Sequence, residues 1–177
     1  MAAGGDLPHA AGAGVFVSDN FSRANSTDLG SAWSERSLYT SAVITDWSIA
    51  SNQVTVTRGW SAAVNTTPAA GDTQFAEMTV HNVANTEYVG PAVRMSSNGT
   101  QGYAVAARAG TNEVRLYRIA SGLIFLDSQS LPTSPEGKTL RLEASGSTLT
   151  IKVDGAAVLT YTDSTYLNTR GHDRSAG

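Results

Sequence analysis

The chain has no cysteine, few charged residues and no long apolar run, and each shortage excludes a class of protein. The absence of cysteine excludes a disulfide-stapled scaffold, and 177 residues suffice for one domain with a sizeable core. Charged residues make up 15% of the chain and form no basic block, and the net charge of -3 argues against a nucleic-acid partner. No apolar run approaches the roughly 20 residues of a membrane helix, so we expect no membrane partner.

The first 14 residues lack the basic segment and the continuous apolar segment of a secretory signal peptide. They are rich in Gly and Ala, and we interpret residues 1–14 as a flexible arm. We therefore expect any extracellular location to be reached by assembly into a particle or by cell lysis.

Residues that could perform catalysis are scarce. The acidic residue Glu77 stands alone in its strand-like run, whereas glycoside hydrolysis needs a pair of carboxylates. The histidines His9, His81 and His172 are isolated from one another, which argues against a metal site or a catalytic triad. The sequence therefore predicts a protein that is not an enzyme.

What the chain does have is a series of about a dozen short runs of strand type, separated by turn pairs such as Asn98-Gly99 and Asp154-Gly155. No window of a dozen residues shows the helical period of 3.6. This spacing predicts an all-β protein, a sandwich or a barrel. We place one domain at residues 15–166 and a tail or partial last strand at 167–177.

The turn pairs between the last three strands predict how these strands are aligned with one another. A two-residue loop at Asp154-Gly155 sets Ile151 opposite Val158, and one at Ser145-Gly146 sets Leu142 opposite Leu149. The opposite face of these strands is polar, as expected for a sheet with one solvated side, and this favours a two-sheet antiparallel sandwich. The predicted core residues of this meander are Leu140, Leu142, Leu149, Ile151, Val153 and Val158.

Aromatic residues mark the first corner of the domain. In DNFSRANSTDLGSAWS (19–34), Phe21 and Trp33 are the apolar anchors, and a polar surface loop lies between them. Trp47, in the run WSIAS (47–51), is the third aromatic residue that we expect in the core.

These segments resemble a known family. Residues 19–34, followed by WSIASNQVTV (47–56), are similar to the opening of concanavalin A-like lectin and glucanase domains of the laminin-G-like kind. VRLYRIASG (114–122) and LRLEASGSTLTIKVDGAAVLTYTDSTY (140–166) resemble their second half. Such domains occur in bacterial surface proteins and in virion proteins of phages that infect actinobacteria. The resemblance covers residues 15–166 and implies a concanavalin A-like jelly-roll sandwich with a concave, frequently glycan-binding sheet.

The resemblance also directs attention to ligands. A glycan needs aromatic platforms beside hydrogen-bonding groups, and the candidates on or beside the middle strands are Trp60, Tyr88, Arg94, Tyr103, Arg108 and Tyr117. Laminin-G-like domains often hold calcium, for which Asp19 and Asp163 are the candidate ligands, and we predict no other cofactor. In the domains that the chain resembles, further strands follow the segment equivalent to DSTY, so we expect a closing strand to be supplied beside GVFVS (14–18) by the N-terminal arm or by a neighbouring chain.

Three functions follow from these observations. The favoured one is a phage virion structural protein, made in the host cytoplasm, that decorates the head or belongs to the tail as a minor protein. It would dock through its termini and edge strands onto capsid or tail proteins or onto further copies of itself. The alternative is a carbohydrate-binding module for host-wall or surface glycans. The absence of paired carboxylates disfavours the third, a glucanase-type hydrolase.

Overall fold

The regular structure consists almost entirely of short β-strands. The computed structural model describes residues 17–40, 42–43, 47–56, 61–67, 71–81 and 89–167. A 3-10 turn, Ala109–Thr111, accompanies the strands, and no helix among the described residues has the length and apolar character to cross a membrane. The strands are β1 (Trp33–Ser37), β2 (Trp47–Ala50), β3 (Gln53–Val56), β4 (Ser61–Asn65), β5 (Gln74–Thr79), β6 (Ala92–Val93), β7 (Gln101–Arg108), β8 (Glu113–Ala120), β9 (Leu123–Ser130), β10 (Thr139–Ser145), β11 (Thr148–Val153) and β12 (Ala156–Thr162).

Two four-stranded sheets form the body of the molecule. Sheet A has the order β5-β10-β11-β12, and sheet B has the order β6-β7-β8-β9. Two smaller pairs, β1-β4 and β2-β3, precede them in the chain, and the described pairings between named strands are all antiparallel. The prediction of an all-β, two-sheet sandwich is confirmed.

One hydrophobic core lies between the two sheets. Sheet B contributes Val105 and Leu116, and sheet A contributes alternate residues of its central strands, as the period of a half-buried strand requires. Five of the predicted meander residues lie in this core: Leu140, Leu142, Leu149 and Ile151 are fully buried, and Val153 is 8% exposed. Apolar residues of the late strands therefore drive the packing of sheet A onto sheet B.

The register of the last three strands differs from the prediction in two places. The turn between β10 and β11 is Gly146-Ser147, so Leu142 faces Ile151 rather than Leu149. The Asp154-Gly155 turn is as predicted, with φ of 48° and 81° as a type I′ turn requires. A bulge after Ile151 then sets it opposite Leu159. Leu159 is buried as a result, whereas Val158, a predicted core residue, is partly buried and packs against the core from its margin.

The outer face of sheet A carries ion pairs. Glu143 Oε1 lies 2.7 Å from the Arg141 Nε and 2.9 Å from the Lys152 Nζ. The Arg141 guanidinium also lies 3.7 Å above the Phe75 ring. This face is solvated, as the sequence predicted, and its charged groups are paired with one another.

The early strands form a less regular layer. Strand β1 pairs with β4 along its whole length. The described residues of this layer form no ladder with either large sheet. Most of the run GVFVS, the proposed attachment point for a further strand, lies outside the described residues, and so does the arm at 1–14.

Candidate functional site

A cavity of about 870 Å³ lies between the early strands and the two large sheets. Residues of strand β4 line it, and so do residues of the edge strands β5 and β6. Ala104 and Ile119 contribute from the outer face of sheet B, where Ala104 lies opposite Tyr117 and alternates with the core residues Tyr103 and Val105. The early layer therefore covers part of the outer face of sheet B, and the cavity lies between the described residues of the two.

Aromatic residues from separate segments meet at this cavity. Phe21, Trp33, Trp47 and Phe75 all line it, and the first three are half-buried. The Phe21 and Trp33 rings pack against each other with centroids 5.7 Å apart. The predicted core position of Phe21, Trp33 and Trp47 is thus corrected: these side chains belong to the cavity wall, because the early layer stands off from the sheets instead of closing onto them.

Asp19 holds the first corner of the domain together. Its carboxylate accepts hydrogen bonds from the Arg23 guanidinium at 2.8 Å, the Phe21 backbone N–H at 2.8 Å and the Trp33 indole N–H at 3.0 Å. The bond and charge of Arg23, with those two N–H groups, lower the pKa of Asp19 to about 2 against the effect of burial. Asp19 was a predicted calcium ligand, but in the structure both of its carboxylate oxygens accept hydrogen bonds from these protein groups.

Arg94 crosses from the cavity wall into the interior. It was predicted as a glycan contact, but the residue is 1% exposed, and burial lowers the pKa of its guanidinium. Nη1 donates to the Tyr166 carbonyl at 2.9 Å, and Nη2 donates to the Asp72 carbonyl at 2.7 Å. Its backbone N–H donates to Gln74 Oε1 at 2.9 Å. Arg94 therefore joins the segments before and after the two sheets, and holds one side of the cavity in place.

Tyr103 and Asp163 form a second buried polar group away from the cavity. The Tyr103 hydroxyl donates to Asp163 Oδ1 at 2.9 Å and accepts from the Tyr166 N–H at 3.1 Å, while Arg118 Nη1 lies 2.9 Å from Asp163 Oδ2. Burial raises the pKa of Tyr103 to about 12. Burial opposes ionisation of Asp163, yet hydrogen bonds from Thr165 and Tyr103 and the charge of Arg118 lower its pKa overall.

These contacts correct the predicted role of Tyr103, which is fully buried and cannot serve as a glycan platform. Asp163, the other predicted calcium ligand, is committed to Tyr103 and Arg118. Within the described ranges, no group of three or more His, Cys, Asp or Glu residues could hold a metal ion.

The remaining predicted glycan contacts lie elsewhere. Tyr117 is half-buried on the outer face of sheet B and packs edge-on against Phe125, with ring centroids 6.0 Å apart. It borders Ala104 across the β7–β8 ladder but does not line the cavity. Trp60, Tyr88 and the side chain of Arg108 lie outside the described residues.

Comparisons with known proteins bear on this geometry. No family model matches the chain, and no curated protein matches it. Among solved structures, the chain is similar to the carbohydrate-binding module CBM66 from Bacillus subtilis, with a TM-score of 0.51 and 17% sequence identity over 60% of this chain and 67% of that chain. The two proteins share a β-sandwich fold. Concanavalin A-like topology and a phage origin find no support in these comparisons and stay predictions.

Proposed function

We propose that the chain is a carbohydrate-binding module and that its ligand occupies the cavity between the early strands and the two sheets. One observation carries the proposal: an 870 Å³ cavity lined by tryptophan and phenylalanine rings together with carboxylates and amides. That volume lies within the roughly 300–1,000 Å³ typical of small-molecule sites. The fold shared with a carbohydrate-binding module adds support.

The lining suits a sugar because a sugar has two kinds of surface. Its C–H faces pack on aromatic rings, and its hydroxyl groups need hydrogen-bonding partners at the edges. Trp33 and Trp47 supply the rings, and Asn65 and Thr67 supply polar side chains.

This proposal departs from the virion structural role that the sequence favoured. No contact among the described residues and none of the comparisons supports a capsid or tail partner. The head-decoration and minor-tail roles, the virion location and self-association therefore stay predictions, while glycan binding has the cavity and the shared fold behind it.

A cavity-filling substitution tests the proposal. Ala104 lines the cavity, and Ala104→Phe would occupy ligand space without removing a hydrogen-bonding group. Ala106 lies two residues further along the same strand, on the same face, and does not line the cavity, so Ala106→Phe is the matched control.

Both variants and the wild type would be compared on a glycan array and by affinity electrophoresis in soluble polysaccharides, with melting curves to confirm folding. We expect a glycan that the wild type and Ala106→Phe bind alike and that Ala104→Phe binds at least tenfold more weakly. A wall glycan that the wild-type protein binds in both assays would identify the ligand class. Absence of binding to every polysaccharide tested, or equal binding by both variants, would overturn the proposal.

A further inference from the structure

The outer face of sheet B is covered at the cavity and open beyond it. Ile119, which lines the cavity, is 1% exposed. Tyr117 lies two residues back along β8, on the same face, and is half-buried. Phe125 lies opposite Tyr117 on β9, the last strand of sheet B, and is 55% exposed. One continuous face therefore leads from the cavity wall to an aromatic ring in contact with solvent.

The rings of Tyr117 and Phe125 form a pair on this face. Their centroids lie 6.0 Å apart and their planes meet at 72°, which is an edge-to-face contact. Such a contact leaves at least one face of each ring outside the pair. Because Phe125 is more than half exposed, its ring is accessible to a ligand from solvent.

Polar side chains border the aromatic pair. Arg115 lies two residues before Tyr117 on the same face of β8, and Ser128 lies opposite Arg115 on β9. The Arg115 Nε lies 2.9 Å from Glu113 Oε2, so the two charges next to the rings are paired with each other. Aromatic rings beside hydrogen-bonding groups suit a sugar. A protein partner would need a wider apolar centre without charged residues.

The distance between the cavity and the aromatic pair sets the length of ligand that could contact both. Ala104 lines the cavity and lies opposite Tyr117, which lies opposite Phe125. Two strand spacings separate Ala104 from Phe125, which is about 10 Å across the sheet. A single sugar residue cannot extend over this distance, whereas an oligosaccharide that leaves the cavity across β8 can.

We infer that the outer face of sheet B is a second glycan subsite, at which Phe125 and Tyr117 contact sugar residues that extend from the cavity. This inference rests on the proposed function and adds the ligand class to it: a glycan chain bound over several sugar residues, rather than a single terminal sugar held in the cavity. The C–H face of a sugar packs on the exposed ring, and the polar side chains beside the rings meet its hydroxyl groups.

Three substitutions on β9 test the second subsite. Phe125→Ala removes the exposed ring, and Phe125→Tyr retains a ring of the same shape. Ile124→Ala is the matched control, because Ile124 is the adjacent residue, is 41% exposed and points to the other face of the strand. All three side chains are exposed enough for the variants to fold, and melting curves check this.

The probes are gluco-, manno-, galacto- and xylo-oligosaccharides, each from the disaccharide to the hexasaccharide, measured by calorimetry. For a series that binds, we expect the wild-type affinity for the hexasaccharide to exceed that for the disaccharide about fivefold, the contribution of one aromatic contact. Phe125→Ala should lose this gain and bind the disaccharide as the wild type does. Phe125→Tyr and Ile124→Ala should both keep the gain.

The outcomes separate this inference from the proposed function. Equal affinity for the disaccharide and the hexasaccharide, or a gain that survives Phe125→Ala, would overturn the inference and leave glycan binding in the cavity established. An equal loss with Ile124→Ala would overturn it as well. Self-association of the wild type in sedimentation experiments that Phe125→Ala abolishes would assign this face to a second copy of the chain instead. Failure of every probe to bind would overturn both the inference and the proposed function.

Discussion

The bulge between β11 and β12 gives a quantitative test of the fold. It sets Leu159 opposite Ile151 and leaves Leu159 8% exposed, whereas Val158 is only partly buried. Leu159→Ala removes most of a side chain from the core and should lower the free energy of unfolding by about 3 kcal/mol. Val158→Ala removes two methyl groups at a margin that water still reaches, so we expect a loss of about 1 kcal/mol.

Urea unfolding followed by tryptophan fluorescence measures both losses, with an unchanged m-value as the sign that the denatured state is comparable. A double-mutant cycle with Ile151→Val should show coupling to Leu159→Ala and little coupling to Val158→Ala. If Val158→Ala were the costlier change, or the one coupled to Ile151, the regular hairpin register would be correct and the bulge wrong. Ile151→Asp places an unpaired charge in the core and is expected to unfold the domain.

Two further outcomes follow from local contacts. The pKa of Asp19 is lowered from 3.8 to about 2, so its ionised form stabilises the fold above about pH 4, and this stabilisation is lost as the pH falls towards 2. Asp19→Asn should therefore weaken the acid dependence of unfolding in that window, and an identical acid profile would count against these contacts. A Cβ added at Gly90 would lie 2.1 Å from the Val105 carbonyl oxygen, whereas one at Gly71 meets nothing within 4 Å. Gly90→Ala should cost about 2 kcal/mol in a thermal melt and Gly71→Ala almost nothing, and equal melts would refute this packing.

The late strands were predictable because local signals there agree. Asp-Gly turn chemistry, strict alternation of leucine and isoleucine, and a polar opposite face all lead to the same sheet. The predicted register of β12 was wrong because the sequence there carries no such local signal. Ala156, Ala157, Val158 and Leu159 are all apolar, so the sequence fits a regular ladder and a bulged one equally well. Packing of the larger Leu159 side chain against the core decides between them.

The candidate site was not predictable to the same degree. Its wall comes from segments between residues 17 and 119 that meet only through tertiary packing. Trp33 and Trp47 were expected in the core because aromatic content predicts removal from water but not whether the space beside a ring is filled. Arg94 was expected to contact a glycan, and its burial could not be predicted because the carbonyl groups that hold it are distant in sequence.

The two large sheets and the early strands therefore differ in how tightly they are packed. The core between sheets A and B is closed and contains the fully buried side chains of β10 and β11. The early strands, with ladders of four or five residue pairs, border a space that is partly open to solvent. A ligand that covers the aromatic rings of this space would remove them from water. Its binding would also stabilise the early strands by mass action.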